Sequence, residues 1–314
     1  MRACVYRSDM PPRSPRGLAP TFLDDLSTGL LAPVRDRVLA DRSLCLALRE
    51  NYVNVYYRGG NLARISPGPG GYVAHFDERY FGDAPPPPIP RLLTSATDIG
   101  VWLAAVPLLK DTMDLWLGRY AKEEREFQQL LIRDNNFGGT AKASDYFICD
   151  LEYANDHGRF DFIAVHWPST PSDRKRQRGR RLVLGELKCG DGALEGSAGL
   201  HAHVDDVNAH LADPAGLAAL KAEMVTVFNQ KRSLGLIPAC EKDLLEFSDE
   251  RPVLMLVLAN HDPDKSRLRE LLRTLPPSPH ADLRIATACM FGYGLFDPAV
   301  LTVDEALVRF AGCI

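Results

Sequence analysis

The sequence has few of the features that mark membrane, secreted or zinc-ribbon proteins. No apolar run reaches the roughly 18 residues that a membrane-spanning helix needs, and no apolar segment of a secretory signal follows the basic N-terminus. The seven cysteines are scattered and include no CxxC pair, which argues against a zinc ribbon or a disulfide-built scaffold. We therefore expect a cytoplasmic protein with no membrane partner.

Several motifs of common enzyme classes are missing as well. The chain contains no P-loop, no GxSxG elbow and no GxGxxG after a predicted strand. Its net charge of −4 excludes nucleic-acid binding through bulk positive charge, so any such contact has to be local. What remains is a chain of 314 residues, 46% apolar and 25% charged, which suffices for one large domain or two modest ones.

The first part of the chain predicts a small α+β unit over residues 1–90. Residues 1–20 are rich in proline and arginine and predict a mobile tail, and the spacing in 21–50 is helical. Three β-rich runs follow at 52–57, 61–65 and 72–76, and the first two are joined by a glycine turn. The proline-rich stretch 83–90 is the candidate boundary, although a rigid loop within one domain would have the same composition.

The remainder, residues 91–314, predicts a second domain of the α/β class with a mixed sheet. Residues 95–135 have helical periodicity, and the period then changes to that of strands at 146–153, 160–167 and 181–187, which form a meander. Two helical segments, an apolar strand at 252–259, a further helix and a last strand at 283–289 complete the order α-β-β-β-α-α-β-α-β. Helices are expected on both faces of this sheet.

Acidic residues stand at the ends of two strands of the meander. Asp161 begins the second strand, and Glu186 and Lys188 end the third. Because side chains alternate along a strand, Glu186 and Lys188 share a face, and pairing of the two strands would bring Asp161 beside Glu186. Two oxygen ligands suit Mg²⁺, and an adjacent cation can orient water and offset charge on a phosphate.

This arrangement resembles the xD…(D/E)xK signature of the PD-(D/E)xK nuclease superfamily, whose fold is called restriction-endonuclease-like. The letters RFD, followed across 25 residues by VLGELK, carry the motif, and the αβββαβ order of residues 111–258 matches the core of the family. Phe160 stands where many members have proline. The resemblance implies that Asp161 and Glu186 bind Mg²⁺ or Mn²⁺ and that Lys188 positions or activates the attacking water.

Many members of the superfamily add an acidic ligand from the helix that precedes the meander. Glu124 lies within the apolar stripe of that helix, where a carboxylate needs a partner such as a metal. We therefore predict Glu124 as the third ligand, with Glu123 and Glu126 as alternatives. A solvated helix charge would explain all three equally well.

A basic loop connects the two strands that carry the acids. Its cations are expected to contact phosphates of nucleic acid, although a solvated loop has the same composition. They are Arg174, Lys175, Arg176, Arg178, Arg180 and Arg181.

Three further groups of polar residues have two interpretations each. Asp150 and Glu152 share strand parity and would either assist a second metal or form salt bridges. His203, Asp206 and His210 follow helical spacing, which is typical of a polar helix face and also permits a zinc site. Residues 229–231 end a helix at which some superfamily members contact substrate.

These observations predict a Mg²⁺- or Mn²⁺-dependent endodeoxyribonuclease. By resemblance, it would leave 5′-phosphates and serve antiviral defence or repair, as a homodimer in many members. The N-terminal unit would recognise substrate, a protein partner or an activator. The alternatives are a catalytically silent nucleic-acid-binding or regulatory module and a scaffold in which the hairpin at 52–62 offers aromatic surface and an edge strand to a partner.

Overall fold

A computed structural model describes residues 15–82, 84–155, 158–196, 199–259, 268–288, 295, 297 and 300–309. Within these residues the fold is mixed α/β, with eight α-helices and two sheets of five and six strands. None of the described helices has the length and apolar content needed to cross a membrane.

The first sheet is an antiparallel meander in the order β1-β2-β3-β4-β5. Its strands and the two helices that precede them are α1 (Pro20–Ser27), α2 (Ala32–Ala40), β1 (Leu44–Leu48), β2 (Val53–Tyr57), β3 (Gly60–Gly68), β4 (Gly71–His75) and β5 (Leu92–Leu93). The predicted strands β2, β3 and β4 are confirmed. The helical interpretation of 21–50 was wrong for Leu44–Leu48, since this fully buried run forms a strand.

The helix after β5 belongs with the first sheet. This helix, α3 (Ala96–Leu117), opens with a capping box between Ser95 and Asp98 and buries Trp102 and Met113 in the core of the first unit. Both β5 and α3 therefore pack with the first sheet although they lie beyond the boundary predicted at residue 90, and the domain boundary itself stays a prediction.

The second sheet has the order β11-β10-β9-β8-β7-β6. Its elements are α4 (Glu123–Ile132), β6 (Tyr146–Asn155), β7 (Gly158–His166), β8 (Arg181–Cys189), α5 (Leu200–Leu211), α6 (Pro214–Ser233), β9 (Val253–Ala259), α7 (Leu268–Arg273), β10 (Asp282–Ala288), β11 (Val300–Leu301) and α8 (Val303–Arg309). Strands β6, β7 and β8 pair antiparallel, and β9 runs parallel to β8 and β10. The predicted meander and the α-β-β-β-α-α-β-α-β order are confirmed as far as β10, but the prediction that this strand is the last was wrong, because β11 and α8 follow it.

Apolar cores cover both faces of the second sheet. One core contains side chains from α5 and α6, and the opposite core contains Leu131 and Ile132 at the end of α4. Gly185 in β8 lies against the ring of Phe162, and a Cβ there would come within 2.1–2.3 Å of ring atoms. Glycine at this position therefore lets β7 and β8 pack tightly just before Glu186 and Lys188.

Residues 15–19 join the two units. Gly17 exchanges backbone hydrogen bonds with the end of β1 through Arg49 and Asn51, and the backbone of Leu18 is bound on both sides by the Gln230 amide of α6. Arg16 and Leu18 are buried. The mobile tail predicted for residues 1–20 is thus wrong for 15–19, while 1–14 lie outside the described residues.

The aromatic hairpin of the first unit faces inward. Strand β2 lies between β1 and β3 and is no edge strand. The Tyr57 hydroxyl donates to Asp114 (2.8 Å), and the Tyr56 hydroxyl accepts from Arg49 and Asn54. The turn residue Gly59 has a φ of +69° and lies against the backbone of α4, which a side chain would obstruct. This hairpin therefore does not offer the edge strand that the scaffold hypothesis requires.

Candidate active site

Asp161 and Glu186 lie next to each other on paired strands. Phe162 pairs with Gly185, so the adjacent positions 161 and 186 face one another across β7 and β8. The Leu187 amide donates to Asp161 Oδ2 at 2.9 Å, which fixes the Asp161 carboxyl against β8. Both side chains are nearly closed off from solvent, with 6% of Asp161 and 5% of Glu186 exposed.

The two acids have opposite protonation preferences. Burial, together with the charge of Glu186, raises the pKa of Asp161 to about 8. Burial also acts to raise the pKa of Glu186, but hydrogen bonds and charge from His203 and Lys188 outweigh it, and the net shift is downward. Near neutral pH the Asp161 carboxyl therefore holds a proton, while the Glu186 carboxyl is ionised.

Lys188 and His203 both contact the same oxygen of Glu186. Lys188 Nζ donates to Glu186 Oε1 at 2.7 Å, and His203 Nε2 lies 2.8 Å from that oxygen. His203 Nε2 is also 2.9 Å from Lys188 Nζ. One ring nitrogen cannot donate to Glu186 and accept from Lys188 at once, so Glu186 and Lys188 compete for it.

His203 is the member of this site that the sequence interpretation did not assign to it. It lies in the first turn of α5, which follows β8 after a short glycine-rich connection. His210, seven residues later, is fully buried against the Phe160 ring. The sequence signal for His203 was its spacing of seven residues from His210, because this spacing places both histidines on the sheet-facing side of α5.

The three glutamates of α4 point to different surroundings. Glu126 pairs with Arg58 of the first unit at 3.2 Å, and Glu123 Oε2 lies 3.9 Å from Cys189 Sγ. Glu124 is half-buried, and its pKa is raised by burial, with the nearby charges of Lys188 and Glu186 acting in opposite directions. Glu124 is therefore close enough for its charge to interact with those of Glu186 and Lys188.

The chemistry of the donors suits a hard divalent cation. Within the described part of the chain, no three His, Cys, Asp or Glu side chains are grouped closely enough to hold a metal. Asp161 and Glu186 nevertheless supply two carboxylates side by side, and burial together with the charge of Glu186 raises the pKa of Asp161. Two carboxylates fit a cation such as Mg²⁺, which keeps several of its waters.

The basic loop lies far from the carboxylates. Arg181 begins β8 and Glu186 is five positions further along, a separation of about 16 Å. Arg181 binds the Arg251 carbonyl and Asp282, and the buried Arg180 lies 3.4 Å from Asp173. These two side chains therefore stabilise the protein's own loops.

The other loop cations are more accessible, with one exception. The Arg174 guanidinium lies over the Phe147 ring and donates to the Ser144 carbonyl. Lys175, Arg176 and Arg178 are exposed; Arg178 pairs with Glu246 at 2.6 Å. Phosphate contact by this loop stays a prediction. The side chains available for such a contact are the three exposed ones, Lys175, Arg176 and Arg178.

The remaining polar groups have structural partners. Asp150 is fully buried between Arg16 and Arg49, and Glu152 pairs with Arg125 and Arg159. These contacts agree with the salt-bridge interpretation, although Asp150 is not exposed. Asp206 is exposed on α5 and does not join the two histidines in a metal-binding group of described residues.

Residues 229–231 at the end of α6 contact other parts of the chain. Asn229 binds the backbone of Leu244 through both groups of its amide, and Gln230 holds Leu18. Lys231 is 1% exposed, and burial lowers its pKa while the charge of Asp150 opposes that effect.

Comparisons of the chain with protein families, with curated proteins and with solved structures found no match in any of the three. The resemblance to the PD-(D/E)xK superfamily therefore stays a prediction that depends on the motif and on the order of the elements.

Proposed function

We propose that this protein is a metal-dependent nuclease that hydrolyses phosphodiester bonds of DNA. The observation that carries the proposal is the pair of buried carboxylates, Asp161 and Glu186, with Lys188 bound to the second of them. Burying two adjacent acids is costly unless a cation neutralises them, and burial together with the charge of Glu186 raises the pKa of Asp161.

The order of elements adds support. From α4 to β9 the chain forms a helix, then an antiparallel three-strand meander, and then a helical crossover. The strand that follows the crossover, β9, is parallel to the third strand of the meander. The restriction-endonuclease-like core has this order, and its acids occupy the same two strands. The assignment of this fold remains part of the proposal.

Each side chain then has a role in the chemistry. Asp161 and Glu186 would hold Mg²⁺ or Mn²⁺, with Glu124 as the nearest further carboxylate. The bound cation supplies a more acidic water and a polarised phosphate. Lys188 orients the attacking water and offsets the charge that develops on the phosphate. His203 holds the Glu186 carboxylate in place from α5.

A catalytically silent module that binds nucleic acid or regulates a partner is the second candidate. It is favoured by the contacts of Glu186, since Lys188 and His203 both occupy its Oε1 atom. Such an internally neutralised carboxylate would need no metal. The two candidates differ in whether a divalent cation binds and whether DNA is cut.

The test is cleavage of supercoiled plasmid and of single-stranded DNA with Mg²⁺ or Mn²⁺. The wild type is compared with Glu186→Gln and Lys188→Ala, and with Glu241→Gln and Lys242→Ala as controls. The control residues are an adjacent pair of exposed side chains. We expect metal-dependent cleavage that falls at least about a hundredfold in the two site variants and stays unchanged in the controls.

Two results would contradict the proposal. Equal cleavage by Glu186→Gln and wild type would mean that another protein or another site cuts the DNA. A wild type that cuts nothing and binds neither metal, measured by calorimetry, would favour the silent module.

A further inference from the structure

A cleft lies between the first unit and α4, away from the carboxylate pair. Its volume is about 140 Å³, close to that of an apolar cavity that holds one benzene ring. We call it the arginine cleft. Its walls come from α2, the start of β1, the turn after β2 and α4 with the residues that follow it.

Three guanidinium groups line the arginine cleft, and Glu126 is the one acid in its described lining. Arg58 is bound to Glu126 and to Asp114. Arg133 is 43% exposed and pairs with its neighbour Asp134. Arg42 donates to the Phe137 carbonyl at 3.0 Å and has no carboxylate partner within the described residues. Arg58 and Arg133 therefore have acidic partners, and Arg42 is the lining guanidinium for which the described residues supply none.

Most of the remaining lining is apolar, with Ser43 and Gln129 as its polar members. The Phe137 ring lies 5.8 Å from the Arg42 guanidinium carbon. Aliphatic side chains complete this surface, namely Val38, Leu39, Leu44, Leu130 and Ile132. A concave apolar surface with a few convergent polar groups is typical of a ligand site. The Arg42 guanidinium is the lining cation without an acidic partner among the described residues, so the surface fits a molecule with an apolar body and an anionic end.

We propose that the arginine cleft binds a small organic anion, namely a phosphate group attached to an aromatic body. Guanidinium groups bind phosphate through paired hydrogen bonds, and Phe137 with the aliphatic side chains accommodates the ring. This proposal does not depend on the proposed nuclease activity, because none of the lining residues belongs to the carboxylate site.

The experiment is isothermal titration calorimetry on the full-length protein at low ionic strength. The probes are phenyl phosphate and adenosine monophosphate, with inorganic phosphate and adenosine as the partial probes. The wild type is compared with the double variant Arg42→Gln/Arg133→Gln. Arg119→Gln is the matched control, because Arg119 is exposed and lies outside the cleft. Circular dichroism and thermal melting establish that every variant is folded.

We expect both aromatic phosphates to bind the wild type and the Arg119→Gln control equally. The double variant should lose about tenfold or more in affinity, since each charge-assisted hydrogen bond is worth about that factor. Inorganic phosphate and adenosine should each bind at least about tenfold more weakly than the monophosphate.

Absence of binding by both aromatic phosphates at millimolar concentration would overturn the proposal. Equal binding by the folded double variant would overturn the location, and equal binding of inorganic phosphate and phenyl phosphate would overturn the chemical class.

Discussion

Asp150 on β6 and Asp161 on β7 are both buried acids on adjacent strands, and their surroundings are opposite. Asp150 is 0% exposed and lies between the guanidinium groups of Arg16 and Arg49. Asp161 lies beside another acid, Glu186, and burial with that charge raises its pKa to about 8. Burial alone therefore does not separate a structural acid such as Asp150 from a proposed metal ligand such as Asp161. The charge of the neighbours does, because only the second acid gains from an added cation.

The largest effect is expected from Asp150→Asn. This substitution removes the buried carboxylate that both Arg16 and Arg49 bind, which should lower the free energy of unfolding by about 3–5 kcal/mol. Urea denaturation followed by circular dichroism measures it, with Asp111→Asn on the exposed face of α3 as the control. If the loss were below about 1 kcal/mol, Asp150 would not be the structural acid of this comparison.

Asp161→Asn should raise the free energy of unfolding, whereas Asp150→Asn should lower it. Because the folded-state pKa of Asp161 is raised, its stabilising contribution is complete below about pH 4 and is lost as the pH rises towards 8. Removing the acid should thus stabilise the metal-free protein by about 2 kcal/mol at pH 7 and have little effect at pH 4. Urea titrations at the two pH values check this, and destabilisation at pH 7 would contradict it.

The affinity for Mn²⁺ should depend on pH through the same group. Binding to Asp161 displaces a proton while the pH is below about 8. We expect the affinity to rise about tenfold or more between pH 6 and pH 8, measured by calorimetry in two buffers of different ionisation heat. An affinity that is constant over this range would remove Asp161 from the set of ligands.

The smallest expected effect is a change in the affinity for Mn²⁺ that distinguishes Glu124 from Glu126 on α4. Glu124→Gln should weaken Mn²⁺ binding about threefold, through loss of a nearby carboxylate charge. Glu126→Gln is the matched variant on the same helix, where the side chain pairs with Arg58, and it should have no effect on this affinity. The reverse order would place Glu126 at the site.

The sequence predicted the second sheet well because its signals are local. Alternation along the strands and short turns defined the meander, and the order of β7 and β8 was enough to bring Asp161 beside Glu186. Strand β1 was not predicted, because the all-apolar run at 44–48 has no alternation that separates strand from helix.

Features set by distant partners were beyond such patterns. Nothing around Arg16 indicates burial, since its acid lies 134 residues further along the chain. The packing of α3 on the first sheet likewise depends on tertiary contacts and not on the periodicity of that helix. The position of the basic loop was, by contrast, available from strand length, because a loop that precedes β8 lies at the opposite end from Glu186.

The segment at residues 15–19 has a consequence for how the chain folds. The partners of Leu18 on α6 lie 212 residues later, and those of Arg16 on β6 lie 134 residues later. During synthesis the whole first sheet leaves the ribosome long before these partners on β6 and α6 have emerged. Contacts of such sequence separation form late because of the entropy of closing a long loop. Attachment of the N-terminal segment is thus expected to be a final step of folding, after both sheets have formed.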